Sequence, residues 1–258
     1  MLCTMKSLVD THAHLCDAVF DPDRAIVLER AWKAGISAII AVGEDLADAE
    51  KNLLLAARHP MIRPAAGLYP THLDLELAAK MRAFIRSHKD ELAAIGEVGL
   101  DYWMVKEEAG REIQREIFRG FIEQSKELAL PLNVHSRSAG RHAVEALLES
   151  AAGKVQLHAF DGKLSAAMPG VEAGFFFSVP PSIIRSGQKQ KLVRNLPLST
   201  LLIETDSPVL GPVPQERNEP ANALIAANVI AELKGITVDE VVEAVCENTK
   251  RLYGEAFS

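Results

Sequence analysis

The chain alternates short apolar segments with longer segments whose apolar residues recur at helical spacing. The short segments are apolar almost without interruption, which is typical of strands that are buried on both faces. Eight such strands are predicted, at Ser7–Asp10, Ser37–Val42, Ile62–Gly67, Leu92–Val98, Pro131–His135, Lys154–His158, Gly174–Val179 and Leu201–Glu204.

A helix is predicted after each of the first seven strands, and two helices follow the eighth strand and close the chain. The predicted helices are Pro22–Gly35, Leu46–Arg58, Leu75–His88, Gly110–Leu130, Arg141–Ser150, Leu164–Ala173, Ser186–Asn195, Ala221–Lys234 and Val238–Leu252. This repeated strand–helix order predicts an α/β fold, a parallel (β/α)8 or TIM barrel. An open doubly wound sheet has a similar rhythm, but it usually carries a glycine-rich first loop, whereas this chain has histidines after Asp10.

Composition indicates one globular domain over residues 1–258, since 48% of the residues are hydrophobic and 24% are charged. No apolar run reaches the roughly 20 residues that a membrane-spanning helix needs, and the first residues lack the pattern of a signal peptide. The three cysteines are scattered, which favours reduced thiols and a cytoplasmic location. The sequence does not indicate an oligomeric state.

The net charge of −7 argues against a protein that coats long nucleic acids, because such proteins are usually basic. Any phosphate binding must therefore depend on charge that is local to a site.

Two histidines follow the first strand at a spacing of two residues, His12 and His14. Side chains at this spacing lie on the same side of an extended chain, so the two imidazoles can converge on one metal ion through bonds of about 2.0–2.1 Å. A His-x-His pair is weak evidence by itself. More potential ligands come at the ends of later strands, which share one mouth in a barrel: Glu97, His135, His158 and Asp206.

Each of these residues also has a purely structural explanation. Glu97 could form an ion pair at a turn, Asp206 could cap the next segment, and His135 and His158 could be hydrogen-bonded core histidines. Their occurrence at successive strand ends favours a metal site with histidine and carboxylate ligands, which suits Zn²⁺, Mg²⁺ or Mn²⁺. The other histidines, His59, His88 and His142, lie on predicted helices or at their ends and are assigned to the surface.

These residues and their order make the chain resemble the TatD family of metal-dependent hydrolases. The matching segments are DTHAHL, AIGEVGLDY, LNVHSR, LHAF, ETDSP and RNEP, which run from Asp10 to Pro220. The run that begins HAFDGKLSAAMPG is similar to the third TatD-domain-containing subfamily, because Ala159–Gly162 replaces the more usual Cys-Phe-Ser-Gly. The resemblance implies a TIM barrel, two divalent metal ions and hydrolysis of phosphodiester bonds, described for the family as deoxyribonuclease activity.

By the family pattern, His12, His14 and Asp206 hold the first ion, His135 and His158 hold the second, and Glu97 bridges the two. The chain departs from the family after the third strand. Many members carry Gly-x-His-Pro-His there, whereas Tyr69 and Thr71 replace both histidines and His72 follows one place later. His72 either substitutes for them in substrate binding or is a rim histidine without a contact.

A water molecule activated by two ions is the expected nucleophile, and Asp206 is the candidate general base. Two divalent ions with Glu97 and Asp206 would give the site a charge of about +2, enough to attract a phosphate. Arg137 either clamps that phosphate or pairs with a rim carboxylate. Lys189 and Lys191 either steer a nucleic-acid end or belong to a solvated helix face.

The leading hypothesis is a metal-dependent phosphodiesterase that acts on DNA ends, in the manner of a 3′–5′ exonuclease. The alternative is hydrolysis of a carboxylic ester, such as a D-aminoacyl-tRNA, because the same activated water attacks carbonyl carbon. A metal-holding scaffold without activity is the third possibility.

Overall fold

A ring of eight parallel strands forms the centre of the protein. The computed structural model describes residues 8–254. The strands pair in chain order from β1 to β8, each parallel to the next. They are β1 (Leu8–Ala13), β2 (Ile36–Ala41), β3 (Ile62–Ala66), β4 (Ala94–Gly99), β5 (Leu132–His135), β6 (Val155–Leu157), β7 (Phe176–Val179) and β8 (Leu201–Ile203).

The ring is closed where β1 meets the chain that leaves β8. A parallel bridge joins Ala13 to Ser207, and the amide of His14 donates to the Ser207 carbonyl at 2.7 Å. Deeper in the barrel, the Thr11 hydroxyl donates to the Ile203 carbonyl at 2.9 Å. The prediction of a TIM barrel is therefore confirmed.

Helices cover the outside of the ring. They are α1 (Arg24–Lys33), α2 (Leu46–Arg58), α3 (Leu75–Ser87), α4 (Glu108–Leu128), α5 (Gly140–Glu149), α6 (Leu164–Glu172), α7 (Gly187–Asn195), α8 (Ala223–Lys234) and α9 (Val238–Tyr253). Capping explains several of the starts. Asp45 accepts a hydrogen bond from the Asp48 amide at the start of α2, and Thr237 with Glu240 forms a capping box at the start of α9.

The first strand is longer than its apolar run predicts. Its predicted start, Ser7, lies outside the described residues, and its predicted end was Asp10. The strand instead continues to Ala13, because Ala13 still pairs with Ala41 of β2. His12 consequently lies inside the strand, where the barrel wall fixes its position, rather than in a loop.

The main hydrophobic core lies between the strands and the helices. Phe118 and Phe121 of α4 are fully buried there, together with Leu132 and Val134 of β5. Among the described residues, no single helix is long and apolar enough to cross a membrane. The segments Pro220–Lys234 and Val238–Tyr253 meet that criterion only when they are taken together, and they are bent by 113°.

Candidate metal centre and active site

Two histidines of β1 and the loop after it meet a carboxylate from the opposite end of the chain. His12 Nε2 and His14 Nε2 lie 3.3 Å apart, and Asp206 Oδ1 lies 3.4 Å from both nitrogens. Asp206 is held there by its own amide, which donates to the His12 carbonyl at 2.8 Å. The sequence prediction that these residues converge agrees with the structure.

Glu97 lies between two pairs of histidines. Its Oε2 is 3.3 Å from His14 Nε2 and 3.8 Å from His12 Nε2. Its Oε1 is 2.6 Å from His135 Nδ1 and 3.0 Å from His158 Nε2. One carboxylate thus presents a separate oxygen to each pair, which is the arrangement that a ligand bridging two ions requires.

The glycines beside Glu97 let β4 pack closely against β5. A Cβ on Gly96 would lie 2.6 Å from the Cβ of Asn133, and a Cβ on Gly99 would lie 2.1 Å from the His135 carbonyl oxygen. Gly99 also has a φ of +144°, which side chains rarely allow. Glu97 is therefore part of a strand in close contact with its neighbour, and not an ion-pair residue at an exposed turn.

The spacing of the first group fits a metal ion. Bonds of about 2.0–2.1 Å to a tetrahedral ion place two ligand atoms about 3.3 Å apart, close to the separations of 3.3 and 3.4 Å among His12, His14 and Asp206. Glu97 Oε2 is buried and has no hydrogen-bond partner, an arrangement that costs free energy unless a cation satisfies the oxygen. The donor set therefore suits a divalent cation.

A hydrogen bond that His12 donates to Asn133 fixes the His12 ring in the form that can bind a metal. The Asn133 amide nitrogen donates to the Thr11 carbonyl at 2.9 Å, so its oxygen faces His12. His12 Nδ1 donates to that oxygen at 2.8 Å, which leaves the lone pair on Nε2. Asn133 was not among the residues predicted from the sequence, although Asn133 lies two residues before His135 on β5 and both side chains are therefore on the same side of the strand.

Asp101 likewise fixes the ring of His135, which with His158 forms the second histidine pair. Its Oδ2 accepts a hydrogen bond from His135 Nε2 at 3.1 Å, so Nδ1 is the nitrogen that faces Glu97. The Tyr69 hydroxyl lies 3.3 Å from the same oxygen and 3.5 Å from His135 Nε2. Asp101 was part of a motif recognised in the sequence. Its contact with His135 depends on the pairing of Gly99 with His135, so no short stretch of sequence predicts it.

Glu204 supports His158 from behind. Its Oε1 accepts from the Ala159 amide at 2.8 Å and its Oε2 from the Ser178 hydroxyl at 2.5 Å. Oε2 is also 3.7 Å from His158 Nδ1. Both oxygens of Glu204 already accept hydrogen bonds, and 3.7 Å is too long for another one to His158 Nδ1. Glu204 therefore contributes negative charge beside the His158 ring and is poorly suited to bind an ion.

Charges within the cluster shift its pKa values strongly. Burial alone lowers the pKa of His14, but the adjacent carboxylates of Asp206 and Glu97 raise it to about 10. Burial alone raises the pKa of Glu97, but His158 and His135 lower it well below its usual value. Burial also opposes ionisation of Asp206, yet the neighbouring His12 and His14 lower its pKa. The two carboxylates therefore stay ionised and attract cations.

A cavity of about 400 Å³ opens above the cluster. His14, Glu97, His135, His158 and Asp206 form its floor. Residues from later loops form its sides, including Tyr69, Arg137, Asp161 and Lys189. His72 is not among the side chains that line this cavity within the described residues, whereas Tyr69, which replaces the first histidine of the family motif, is.

The two lysines of α7 have different surroundings. Lys189 is half-buried and its Nζ donates to the Ala159 carbonyl at 2.9 Å, and burial lowers its pKa. Lys191 is exposed and does not line the cavity. Lys189 is therefore placed to contact a bound molecule, whereas Lys191 belongs to the outer face of the helix.

Comparisons with known proteins identify the family of the chain. The family model described as TatD related DNase matches residues 9–254. The human protein named deoxyribonuclease TATDN3 is 48% identical, over 95% of this chain and 94% of its own length. The uncharacterised metal-dependent hydrolase YabD of Bacillus subtilis is 35% identical, over 95% of this chain and 98% of its own length.

A solved structure shares both fold and sequence. The TatD homologue YjjV of Escherichia coli superposes with a TM-score of 0.89 at 26% identity, covering 96% of this chain and 98% of its own. The resemblance inferred from the motifs is thereby confirmed. The chain belongs to the TatD family of metal-dependent hydrolases, in the group of the TATDN3 proteins.

Proposed function

We propose that the protein hydrolyses phosphodiester bonds at DNA ends, as a 3′–5′ exonuclease, and that it does so with two divalent ions. The observation that carries the proposal is Glu97, whose two oxygens face separate histidine pairs. In this assignment His12, His14 and Asp206 bind one ion, His135 and His158 bind the other, and Glu97 binds both. Bound ions supply an activated water and neutralise charge that develops on the phosphate.

Asp206 is the proposed general base. Both of its contacts with the histidines use Oδ1, so Oδ2 is the atom that we expect to accept a proton from the attacking water. A divalent cation held beside Asp206 would keep this carboxylate ionised before attack.

Arg137 and Lys189 are the proposed phosphate contacts. Two divalent ions balance the four carboxylates of the cluster, Glu97, Asp101, Glu204 and Asp206, so the net charge there is about zero rather than the +2 expected from two carboxylates. The positive charge that a phosphate meets then comes from the cavity wall. Arg137 is exposed on that wall and forms no ion pair with a carboxylate among the described residues, which leaves its guanidinium available for phosphate oxygens.

The size of the cavity favours an end of a strand as the substrate. About 400 Å³ is in the range of small-molecule sites, and a terminal nucleotide fits such a space better than the middle of a duplex does. His72, outside this lining, is retained only as a proposed contact for a longer strand.

The test compares oligonucleotides that carry a label at the 3′ or the 5′ end, with the metal-loaded protein and with chelator. We expect metal-dependent release of mononucleotides from the 3′ end, and at least a hundredfold loss in the Glu97→Gln variant. Hydrolysis of D-aminoacyl-tRNA without cleavage of DNA would contradict the proposal and favour the deacylase. Turnover that persists at the same rate in chelator would exclude the metal assignment.

A further inference from the structure

The loop between β4 and α4 exposes an indole beside the mouth of the barrel. The side chain of Trp103 is 53% exposed, and that of the adjacent Met104 is 59% exposed. Removing a large apolar side chain from water lowers the free energy. An exposed tryptophan next to a catalytic cavity is therefore a candidate for contact with a bound molecule.

This loop is tied directly to the proposed metal ligands. Asp101 Oδ1 accepts hydrogen bonds from the amides of Trp103 and Met104, both at 2.8 Å. Its Oδ2 accepts from His135 at 3.1 Å. The same carboxylate thus fixes the backbone of Trp103 and the ring of a histidine in the cluster, so the backbone that carries the indole is held in place relative to the site.

Two cations accompany the ring. The guanidinium carbon of Arg137 lies 5.1 Å from the ring centroid of Trp103, and Lys106 Nζ lies 4.8 Å from it. Arg137 also lines the cavity above the cluster. Arg137 therefore connects the indole to the place where a phosphate is expected. The Tyr102 amide also donates a hydrogen bond to the Arg137 carbonyl at 3.0 Å, which holds the β4–α4 loop against the β5–α5 loop.

We propose that Trp103 stacks on a nucleobase of the substrate while Arg137 binds the adjoining phosphate, so that this pair determines specificity for nucleotides over simple phosphodiesters. The inference rests on the proposed phosphodiesterase function and names its substrate class more narrowly. A nucleotide presents an aromatic base and an anion a few ångströms apart, and indole with guanidinium matches both parts. A single platform suits a strand end, and the low aromatic content of 5% gives few others.

The kinetic test compares two oligonucleotides that differ only in whether the terminal nucleotide carries its base. We expect Trp103→Ala to lower kcat/KM about tenfold on the base-bearing substrate, mainly through KM, because stacking on an aromatic side chain contributes about that factor per base. On the abasic substrate the variant should match the wild type. Trp103→Phe, which keeps an aromatic ring, should recover most of the loss.

Trp32 provides the matched control. It is 64% exposed, but it lies at the end of α1 just before β2, at the opposite end of the barrel from the cavity. Trp32→Ala should leave both substrates unaffected. An equal loss on both substrates in Trp103→Ala would show a structural role for the indole, and no loss on either would also overturn the proposal.

A binding measurement separates this inference from the proposed function. The chain has two tryptophans, so Trp32→Phe leaves Trp103 as the sole indole. A phosphorothioate-linked dinucleotide should quench its fluorescence, and the abasic analogue should not. If the wild type cleaves neither oligonucleotide, the proposed function fails. Quenching that requires the base would still support stacking of a nucleobase on Trp103. Absence of quenching would contradict base stacking on Trp103 even when DNA is cleaved.

Discussion

At the scale of single residues, the cluster depends on hydrogen bonds that decide which histidine nitrogen is free. The Asn133 oxygen accepts a hydrogen bond from His12 Nδ1, and Asp101 Oδ2 accepts one from His135 Nε2. The motifs predicted the histidines themselves, since their types and positions are local. They did not predict Asn133 or Asp101 in these roles, because each partnership joins different strands and depends on strand register.

Asp101→Asn tests this orientation. Because the amide nitrogen can only donate, it favours the His135 form with the proton on Nδ1, the nitrogen that faces Glu97. We expect the affinity for the second ion to fall about 10- to 100-fold, measured by metal titration. Asp74→Asn is the control, since Asp74 likewise accepts two backbone amides, at the start of α3. Equal metal affinity in the two variants would refute the role of Asp101.

At the scale of strands and helices, apolar runs predicted the elements well where local signals define their ends. The bounds of α2, Leu46–Arg58, are those predicted, because Asp45 caps its start. The end of β1 was wrong because pairing with β2 and contacts with the chain after β8 carry the strand beyond its apolar residues. Closure between distant segments is not encoded in any short stretch of sequence.

Close packing of β4 on β5 should make Gly96 intolerant of a side chain. Gly96→Ala places a Cβ 2.6 Å from the Cβ of Asn133, and such overpacking costs about 1–3 kcal/mol. Urea unfolding should show this loss, with weaker metal binding because Asn133 also orients His12. At Gly153 an added Cβ meets nothing within 4 Å, so Gly153→Ala should retain wild-type stability. Equal stability of the two variants would contradict the packing argument.

Helix α7 carries one lysine in the cavity and one outside it. Lys189→Glu should lower kcat/KM on an oligonucleotide about 10- to 100-fold, the loss expected when a charged hydrogen-bond donor to an anion is removed. Lys191→Glu reverses an exposed charge on the same helix and should change kcat/KM less than about twofold. Similar losses in both variants would indicate general steering by the helix rather than a contact at Lys189.

At the scale of the whole molecule, the barrel gathers buried carboxylates whose charge is balanced either by protonated histidines or by metal ions. Without metal, carboxylates raise the pKa of His14 from 6.5 to about 10. The protonated histidine therefore stabilises the folded protein fully below pH 6.5, and that contribution is lost as the pH rises towards 10. Metal ions instead require neutral histidines, so their contribution grows with pH.

Unfolding between pH 7 and 9 should consequently show opposite trends in the two states. With chelator, the contribution of His14 to the free energy of unfolding decreases as the pH rises, whereas with bound metal the stabilisation by the ions increases. His14→Gln should weaken both trends, because it removes the titrating group and one ligand. Identical pH dependence of the wild type with metal and with chelator would show that the cluster does not bind metal through these histidines.

The bridging position of Glu97 is the central claim, and anomalous scattering from crystals grown with Zn²⁺ or Mn²⁺ tests it most directly. We expect two peaks about 3.5–4 Å apart, one beside His12, His14 and Asp206 and one beside His135 and His158, with a Glu97 oxygen bound to each. A single peak, or two ions that Glu97 does not join, would contradict it.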